Sequence, residues 1–481
     1  MCRDVAHGGR RCPRANRTRM WRTKVTERLA RNKRVAQQCP DRAQTLNEMV
    51  ERDQDILSRF DEAVVKYGEC VIGHDIELSG AVPDMVRAFR REGLDPLLVG
   101  GSVRDSLLEG AQPKDLDFEV YGGSTERVAM LARKLGKASE VGQAFGVVKL
   151  VLSDGQDIDL SVPRRDNKVG LGHRGFRVDT DPLMTVSEAS SRRDFTINAM
   201  SYDPRLGVLI DPHGGLDDLE NRVLRHVSPA FAEDPLRVLR AMQFAGRYAM
   251  MLHPDTASLC ATLREEGKTL PVERVRGEWK KWASKSKSPS FGLRALHDSL
   301  WDRDVTGLVE ANTPAVREAV DRSVQVSSAW GVHRDILLPA VVARAMSEED
   351  AKTFLNQAVE GASLQRRALA MSRPSPLPNT VEHAREIALN TRCTLRESLA
   401  VAVSHEEKGS VEAYQVAGLA GVLDGPEPDL LSGEDILSSG RRKPGPWVGK
   451  AVAEARLAQA RGVFRDHDAA LGWASRAVAE S

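Results

Sequence analysis

The chain has 481 residues, of which 41% are hydrophobic and 28% charged, the composition of a globular protein long enough for two to four domains. No run of about 18 apolar residues occurs, which excludes a membrane-spanning helix. The six cysteines form no CxxC pair and no zinc spacing, which fits a reducing cytoplasm.

The formal net charge of +1 hides an uneven distribution. Residues 1–40 are a basic block, expected to lack fixed structure or to touch an anionic partner, and it has no apolar core of a secretory signal. Residues 41–82, with "LNEMVERDQDILSRFDEAVVKYGE", have helical spacing and read as a peripheral helical segment. A helix follows from Val82 to Gly93, then a strand at 96–99, a turn at Gly100-Gly101, a helix at 102–109, a strand at 115–121 and a helix at 125–136. "FGVVKLVL" and "DIDLSVPR", joined by "SDGQ", read as a β-hairpin. From about Leu216 the pattern is helical, with breaks at Pro271, Pro289 and the proline-rich 372–379. The expected class is α+β: a small α/β head at 83–215, a helical neck at 216–285, and a helical body and tail at 286–481 without a recognisable His-Asp doublet.

Asp115 and Asp117 pose a problem that a metal would solve. Residues two apart on a strand point to the same face, and like charges there repel. Two carboxylates suit Mg²⁺, which takes one or two of them together with substrate phosphates. Asp157 and Asp159 offer a third carboxylate on a later strand. The Gly100-Gly101 turn into a helix lets backbone N–H groups approach an anion, and Arg104 on the first turn adds a charged donor. "SRRDFTINAM" sets Arg193, Asp194 and Asn198 among apolar residues, as in a buried hydrogen-bonded constellation facing a ligand. The glycines at 214–215 read as structural. Asp234, Arg237 and Arg240 fall at intervals of three on a helix opening near Phe231, where an acid also suits the helix dipole.

In this order, "GGSVRD…DLDFEVYG", "RRDFTINAM", "DPHGGLDDL", "HVSPAFAEDPLRVLR" and "ERVRGEWKKW" resemble the class II CCA-adding enzymes, tRNA nucleotidyltransferases of the DNA polymerase beta superfamily. The resemblance covers roughly 96 to 282 and implies that CTP and ATP are joined to the 3′ end of tRNA. It makes Asp115 and Asp117 the Mg²⁺-binding catalytic pair, with Asp159 assisting. Gly100, Gly101, Arg104, Arg193, Asp194, Asn198 and Arg240 would bind the nucleotide, and Asp234 and Arg237 would read its base. Base chemistry agrees: Asp accepts and Arg donates, matching the amino group and adjacent ring acceptor of cytosine and adenine but not of uracil or guanine. Arg274, Arg276, Lys280 and Lys281 are candidates for holding the tRNA backbone, or equally a solvated face. Three features depart from the pattern: Gln243 stands where many relatives have arginine, Glu188 where an acidic run precedes "RRD", and the body lacks the His-Asp doublet of longer relatives. A poly(A) polymerase, an enzyme adding only CC or only A, and a non-catalytic RNA-binding relative are the other readings.

Overall fold

A computed structural model describes residues 13–38, 43–110, 115–141, 146–168, 176–181, 183–439 and 444–480. The first twelve residues of the basic block lie outside them. The chain divides into two compact units, Met1–Glu233 and Asp234–Ser481. The break falls after the glycine turn at 214–215, not at it. Beyond that turn the chain returns to the head, where Phe195 bridges to His226 and packs edge-on against Phe231 at 5.6 Å.

The first unit opens with two helices, α1 (Pro13–Gln38) and α2 (Ala43–Tyr67). The basic block is thus helical over Pro13–Gln38, which corrects the expectation of an unstructured arm for these residues. It is held by an apolar and polar seam: Thr18 Oγ1 donates to the carbonyls of Glu69 and Val71 at 2.9 and 2.8 Å, Val25 is buried, and Trp21 stacks on Phe60 at 4.5 Å. Two of its arginines pair with the next helix, Arg28 with Asp53 and Arg22 with Asp61, and Arg17 pairs with Glu220. Nor is α2 merely peripheral, since Phe60 and Ala63 enter the core beside Leu97 and Val99.

The remaining elements of this unit are β1 (Val71–Gly73), α3 (Val82–Arg91), β2 (Asp95–Val99), α4 (Gly101–Glu109), β3 (Leu116–Tyr121), α5 (Thr125–Leu135), β4 (Gly136–Val141), β5 (Val147–Leu152), β6 (Asp157–Ser161), β7 (Arg164–Lys168), β8 (Phe176–Thr180), α6 (Val186–Ser190), β9 (Ser201–Asp203), β10 (Val208–Ile210) and α7 (Gly215–Glu220). Eight strands form one sheet in the order β1-β10-β9-β2-β3-β6-β5-β4, while β7 and β8 pair separately. Every pairing in the large sheet is antiparallel except β3 with β6. A parallel pair needs a long crossover, here α5 and the β4–β5 hairpin. Along β3, Leu116, Phe118 and Val120 are buried on one face, and Asp117 and Glu119 emerge on the other. Strands of three residues, and β4 with its sequence "GKASEV", carry too little apolar alternation to be read from sequence.

Gly215 is where α7 meets the head. Asp211 caps the helix, accepting from the N–H groups of Gly215 at 2.7 Å and Leu216 at 3.0 Å. A Cβ on Gly215 would lie 2.2 Å from the carbonyl oxygen of Thr196, a backbone atom with nowhere to go. We expect Gly215→Ala to cost on the order of 1–3 kcal/mol, as overpacking typically does, read as a lower denaturant midpoint with an unchanged slope.

The second unit is built almost wholly from helices, beginning α8 (Leu236–Tyr248), α9 (Pro254–Thr262), α10 (Arg264–Gly267), α11 (Val272–Lys285) and α12 (Pro289–Asp298). Two of the three expected proline breaks are helix starts: Pro271 precedes α11 and Pro289 opens α12. Trp279 meets Trp282 and Phe354 edge-on at 5.3 Å each, and the Trp282 indole donates to the Pro289 carbonyl at 3.0 Å. Among the described residues Cys70, Cys260 and Cys393 are free thiols, and no helix is long and apolar enough to cross a membrane.

Candidate active site

Strand β2 is apolar and buried, and it delivers the chain to Gly100, whose φ of +67° and position at the start of α4 require glycine. A Cβ there would meet Arg193 Nη1 at 2.4 Å, so the arginine lies directly over the turn. The same Nη1 donates to the Asn198 carbonyl at 3.1 Å. Arg104, expected to reach a phosphate, is buried instead. Its guanidinium bonds to Asn198 Oδ1 and to Asp105 at 2.8 Å. Asn198 in turn donates to Asp194 Oδ1 at 2.9 Å, which also accepts from the Phe195 N–H at 2.8 Å. Arg104, Asp194 and Asn198 therefore form a hydrogen-bonded group at the glycine turn, with Arg104 beside Gly101 and Arg193 over Gly100.

Ser102 joins this turn to the aspartates. Its hydroxyl donates to the Asp115 carbonyl at 2.8 Å and accepts from the Asp117 N–H at 2.9 Å, fixing the backbone between the two carboxylates. Sequence reading misses it, although a hydroxyl directly after a glycine pair is there to be seen. We expect Ser102→Ala to lose about 1–3 kcal/mol of stability, since a buried N–H is left without its acceptor. Nucleotide addition should fall through kcat more than through KM, because the carboxylates lose their register; stopped-flow incorporation beside urea unfolding measures both.

Across the parallel pair, Asp117 on β3 stands in register with Asp159 on β6, and Asp159 with Lys149 on β5. Lys149 Nζ donates to Asp159 at 2.9 Å. Asp115 is exposed at the start of the strand, whereas Asp117 is largely buried. Burial first, then the charges of Asp159 and Asp115, hold the Asp117 carboxyl above its ordinary value, against the pull of Arg193 and Lys149. Among the described residues no group of three or more His, Cys, Asp or Glu is gathered as a ready metal cage. What Asp115 and Asp117 offer is hard oxygen donors and a surplus of negative charge, the set that Mg²⁺ takes when substrate phosphates complete its shell. Lys149 does not stand out in the sequence; its polar position in "FGVVKLVL" marks the face but not the partner.

In the second unit, a 3₁₀ turn at Pro229–Glu233 precedes the chain's entry to α8. Asp234 sits before α8, where its Oδ1 accepts from the Leu236 N–H at 3.1 Å and its Oδ2 from Arg274 Nη2 at 2.9 Å. The helix-start role and a base-reading role are compatible in kind, because a carboxylate oxygen can accept more than one hydrogen bond. Arg237 and Arg240 are partly exposed on α8, and Arg240 lies over the Phe244 ring at 5.4 Å. Gln243 is buried, so it takes no surface contact in place of an arginine. Four of the five basic residues of α11 have intrachain partners: Arg274 with Asp234, Arg276 with Asn356, Lys280 with Glu360 and Lys281 with Glu278. Glu188 forms a capping box with Thr185 at the start of α6, which accounts for its identity.

Residues 97–225 match the family model described as the poly A polymerase head domain. Multifunctional CCA proteins of Xanthomonas campestris and Stenotrophomonas maltophilia are each 44% identical to this chain over 207 residues, which are 42% of this chain and 48% of theirs. The chain thus spans about half the length of the curated relatives it matches. Among solved structures, the Thermotoga maritima CCA-adding enzyme complexed with tRNA aligns with a TM-score of 0.60 at 20% identity, covering 87% of this chain and 98% of that one. The Bacillus stearothermophilus CCA-adding enzyme in complex with CTP aligns with a TM-score of 0.62 at 22% identity, covering 82% and 96%. Residues 97–225 thus match the poly A polymerase head domain, and the fold is similar to that of the CCA-adding enzymes.

Proposed function

We propose that this protein adds or repairs the 3′-terminal CCA of tRNA without a template, using CTP and ATP and releasing pyrophosphate. The observation that carries this reading is Asp117 in register with Asp159 on neighbouring strands, with Asp115 just before β3, beside a glycine turn overlain by Arg193. Asp115 and Asp117 hold Mg²⁺, which when bound neutralises the phosphates and lowers the cost of forming the attacking alkoxide. The N–H groups at the start of α4 and the Arg193 guanidinium bind the triphosphate, with Arg104, Asp194 and Asn198 keeping that turn rigid. Arg240 belongs to the same task from α8. The 3′-hydroxyl oxygen bonds to the α-phosphorus, the bond from that phosphorus to the oxygen bridging the β-phosphate breaks, and pyrophosphate leaves. Asp159 takes the hydroxyl proton, which requires it to exchange its hydrogen bond with Lys149. Asp234 and Arg237 select cytosine and adenine by the pattern of donors and acceptors. With its free thiols, the protein works in the cytoplasm.

The test is incorporation with purified protein and Mg²⁺ on tRNA lacking CCA, tRNA ending in CC, and unstructured RNA, with each nucleotide singly and all together. CCA completion from CTP plus ATP alone is the expected result. A homopolymer of A on unstructured RNA would assign the head instead to poly(A) synthesis. Addition of only CC or only A would mark a partial enzyme, and no incorporation on any RNA would overturn the reading.

A further inference from the structure

The segments "QRRALAMSRPS" and "NTRCT" are separated in sequence, and the helical unit brings them to one cavity. It has a volume of about 660 Å³ and lies among the helices Glu348–Ala358, Ala362–Ser372, Val381–Asn390 and Leu395–Ser404. Four arginines line it, Arg366, Arg367, Arg373 and Arg392, against one carboxylate, Glu348. Glu348 is already engaged by Lys352, and Arg367 by Glu397. Arg373 spends its N–H groups on neutral oxygens, the carbonyls of Ala343 at 2.8 Å and Met346 at 3.3 Å and the Ser372 hydroxyl, so no carboxylate bonded to it cancels its charge. Arg366 and Arg392 are exposed at the rim and have no hydrogen-bond or ion-pair partner among the described residues. Burial pushes the thiol of Cys393, also on the wall, up to about 11, so it adds no negative charge at neutral pH.

Planar guanidinium forks converging on a concave site match the tetrahedral oxygens of phosphate. We propose that this cavity binds a phosphate group, with Arg366 and Arg392 as its charged donors and Arg373 as a fixed positive charge behind them. The group is either a backbone phosphate of RNA or a free phosphate. The site is separate from the carboxylates of the head and from Asp234. It also differs from α11, where Arg274, Arg276, Lys280 and Lys281 have partners within the chain.

The experiment uses the full chain and two double variants, Arg366→Ser with Arg392→Ser, and Arg366→Lys with Arg392→Lys. Neither arginine has an intrachain bond to lose, so an unchanged melting temperature is the control for folding. Binding of a tRNA transcript is measured without nucleotide between 50 and 200 mM salt, and binding of inorganic phosphate by calorimetry. If RNA is the source, the serine pair weakens tRNA about tenfold or more and lowers the salt slope by roughly one for each phosphate that is no longer neutralised; the lysine pair recovers most of it. If a free anion is the source, the calorimetric signal for phosphate disappears while tRNA binding is unchanged. A folded serine pair that binds both probes as the native chain does overturns the proposal. Because binding is read without catalysis, a chain that adds no nucleotide yet shows either loss would refute the proposed reaction and leave this site standing.

Discussion

Asp117→Asn is expected to abolish nucleotide addition and at the same time to make the metal-free protein more stable. The loss of activity follows from removing a metal-binding carboxylate. Metal-assisted stabilisation of transition-state charge is worth several kcal/mol, so a fall on the order of 10³-fold or more is anticipated. The gain in stability follows from the electrostatics of the apo site. Asp117 is largely buried, in register with Asp159 and two residues from Asp115, and its folded pKa is raised above the ordinary 3.8. Below that ordinary value the group is protonated in both states and costs nothing. As the pH rises through the folded value, the native state must accept the charge and stability is lost. The melting temperature of Asp117→Asn should therefore match that of the native chain under acid conditions and exceed it at neutral pH. Adding Mg²⁺ should reverse the order, because binding to the native state stabilises it by mass action and the variant lacks the ligand. Asp115→Asn should lose activity equally without the gain, since Asp115 is exposed. Native-like turnover by Asp117→Asn would end the metal assignment, and a lower apo melting temperature at neutral pH would contradict the electrostatic account.

The second large effect is on nucleotide choice. Asp234→Ala removes the acceptor for the amino group of cytosine or adenine and should cost on the order of 1–3 kcal/mol in kcat/KM for CTP and ATP. Discrimination against UTP should narrow in the same variant, because the repulsion between the carboxylate and uracil O4 is gone. Asp234→Asn should narrow it further, since its amide N–H donates to O4. Removal of Arg274 provides the comparison: it leaves the acceptor in place but frees Oδ2 from its 2.9 Å bond, so selectivity should blur less than in Asp234→Ala. Arg193→Ala, by contrast, should slow all four nucleotides alike. Single-nucleotide incorporation on tRNA with the appropriate 3′ end measures these ratios. Unchanged discrimination between CTP and UTP in Asp234→Ala would reduce this aspartate to the start of a helix.

Much of the head is legible in the sequence because its pattern is local. The alternation of Leu116, Phe118 and Val120 with Asp117 and Glu119 states that one face is buried and the other acidic, and the structure has β3 arranged in that way. The glycine pair between an apolar strand and a helix announces a turn, and Gly100 adopts the positive φ that such a turn demands. Those features depend on side-chain period and backbone sterics, which operate within a few residues of the chain.

What lies beyond that range is decided by tertiary packing. The basic block reads as an unstructured arm because charge dominates its composition, yet Trp21 and Val25 find a surface on α2 and the sheet that no local window contains. Arg104 has the residue type and position of a phosphate ligand, but Asn198 and Asp105 claim its guanidinium inside the head. The same holds for α11, where Arg276 and Lys280 look open to RNA until Asn356 and Glu360, some eighty residues away, occupy them. Ser102 and Lys149 acquire their meaning only when β3 and β6 pair in parallel with Asp117 opposite Asp159. The sequence by itself determined which residues carry charge, which face of each long element is apolar and where the backbone must turn. Only the tertiary structure decided which charges meet a partner within the fold, since a ligand must then exchange with that partner, as it would with Lys149 at Asp159.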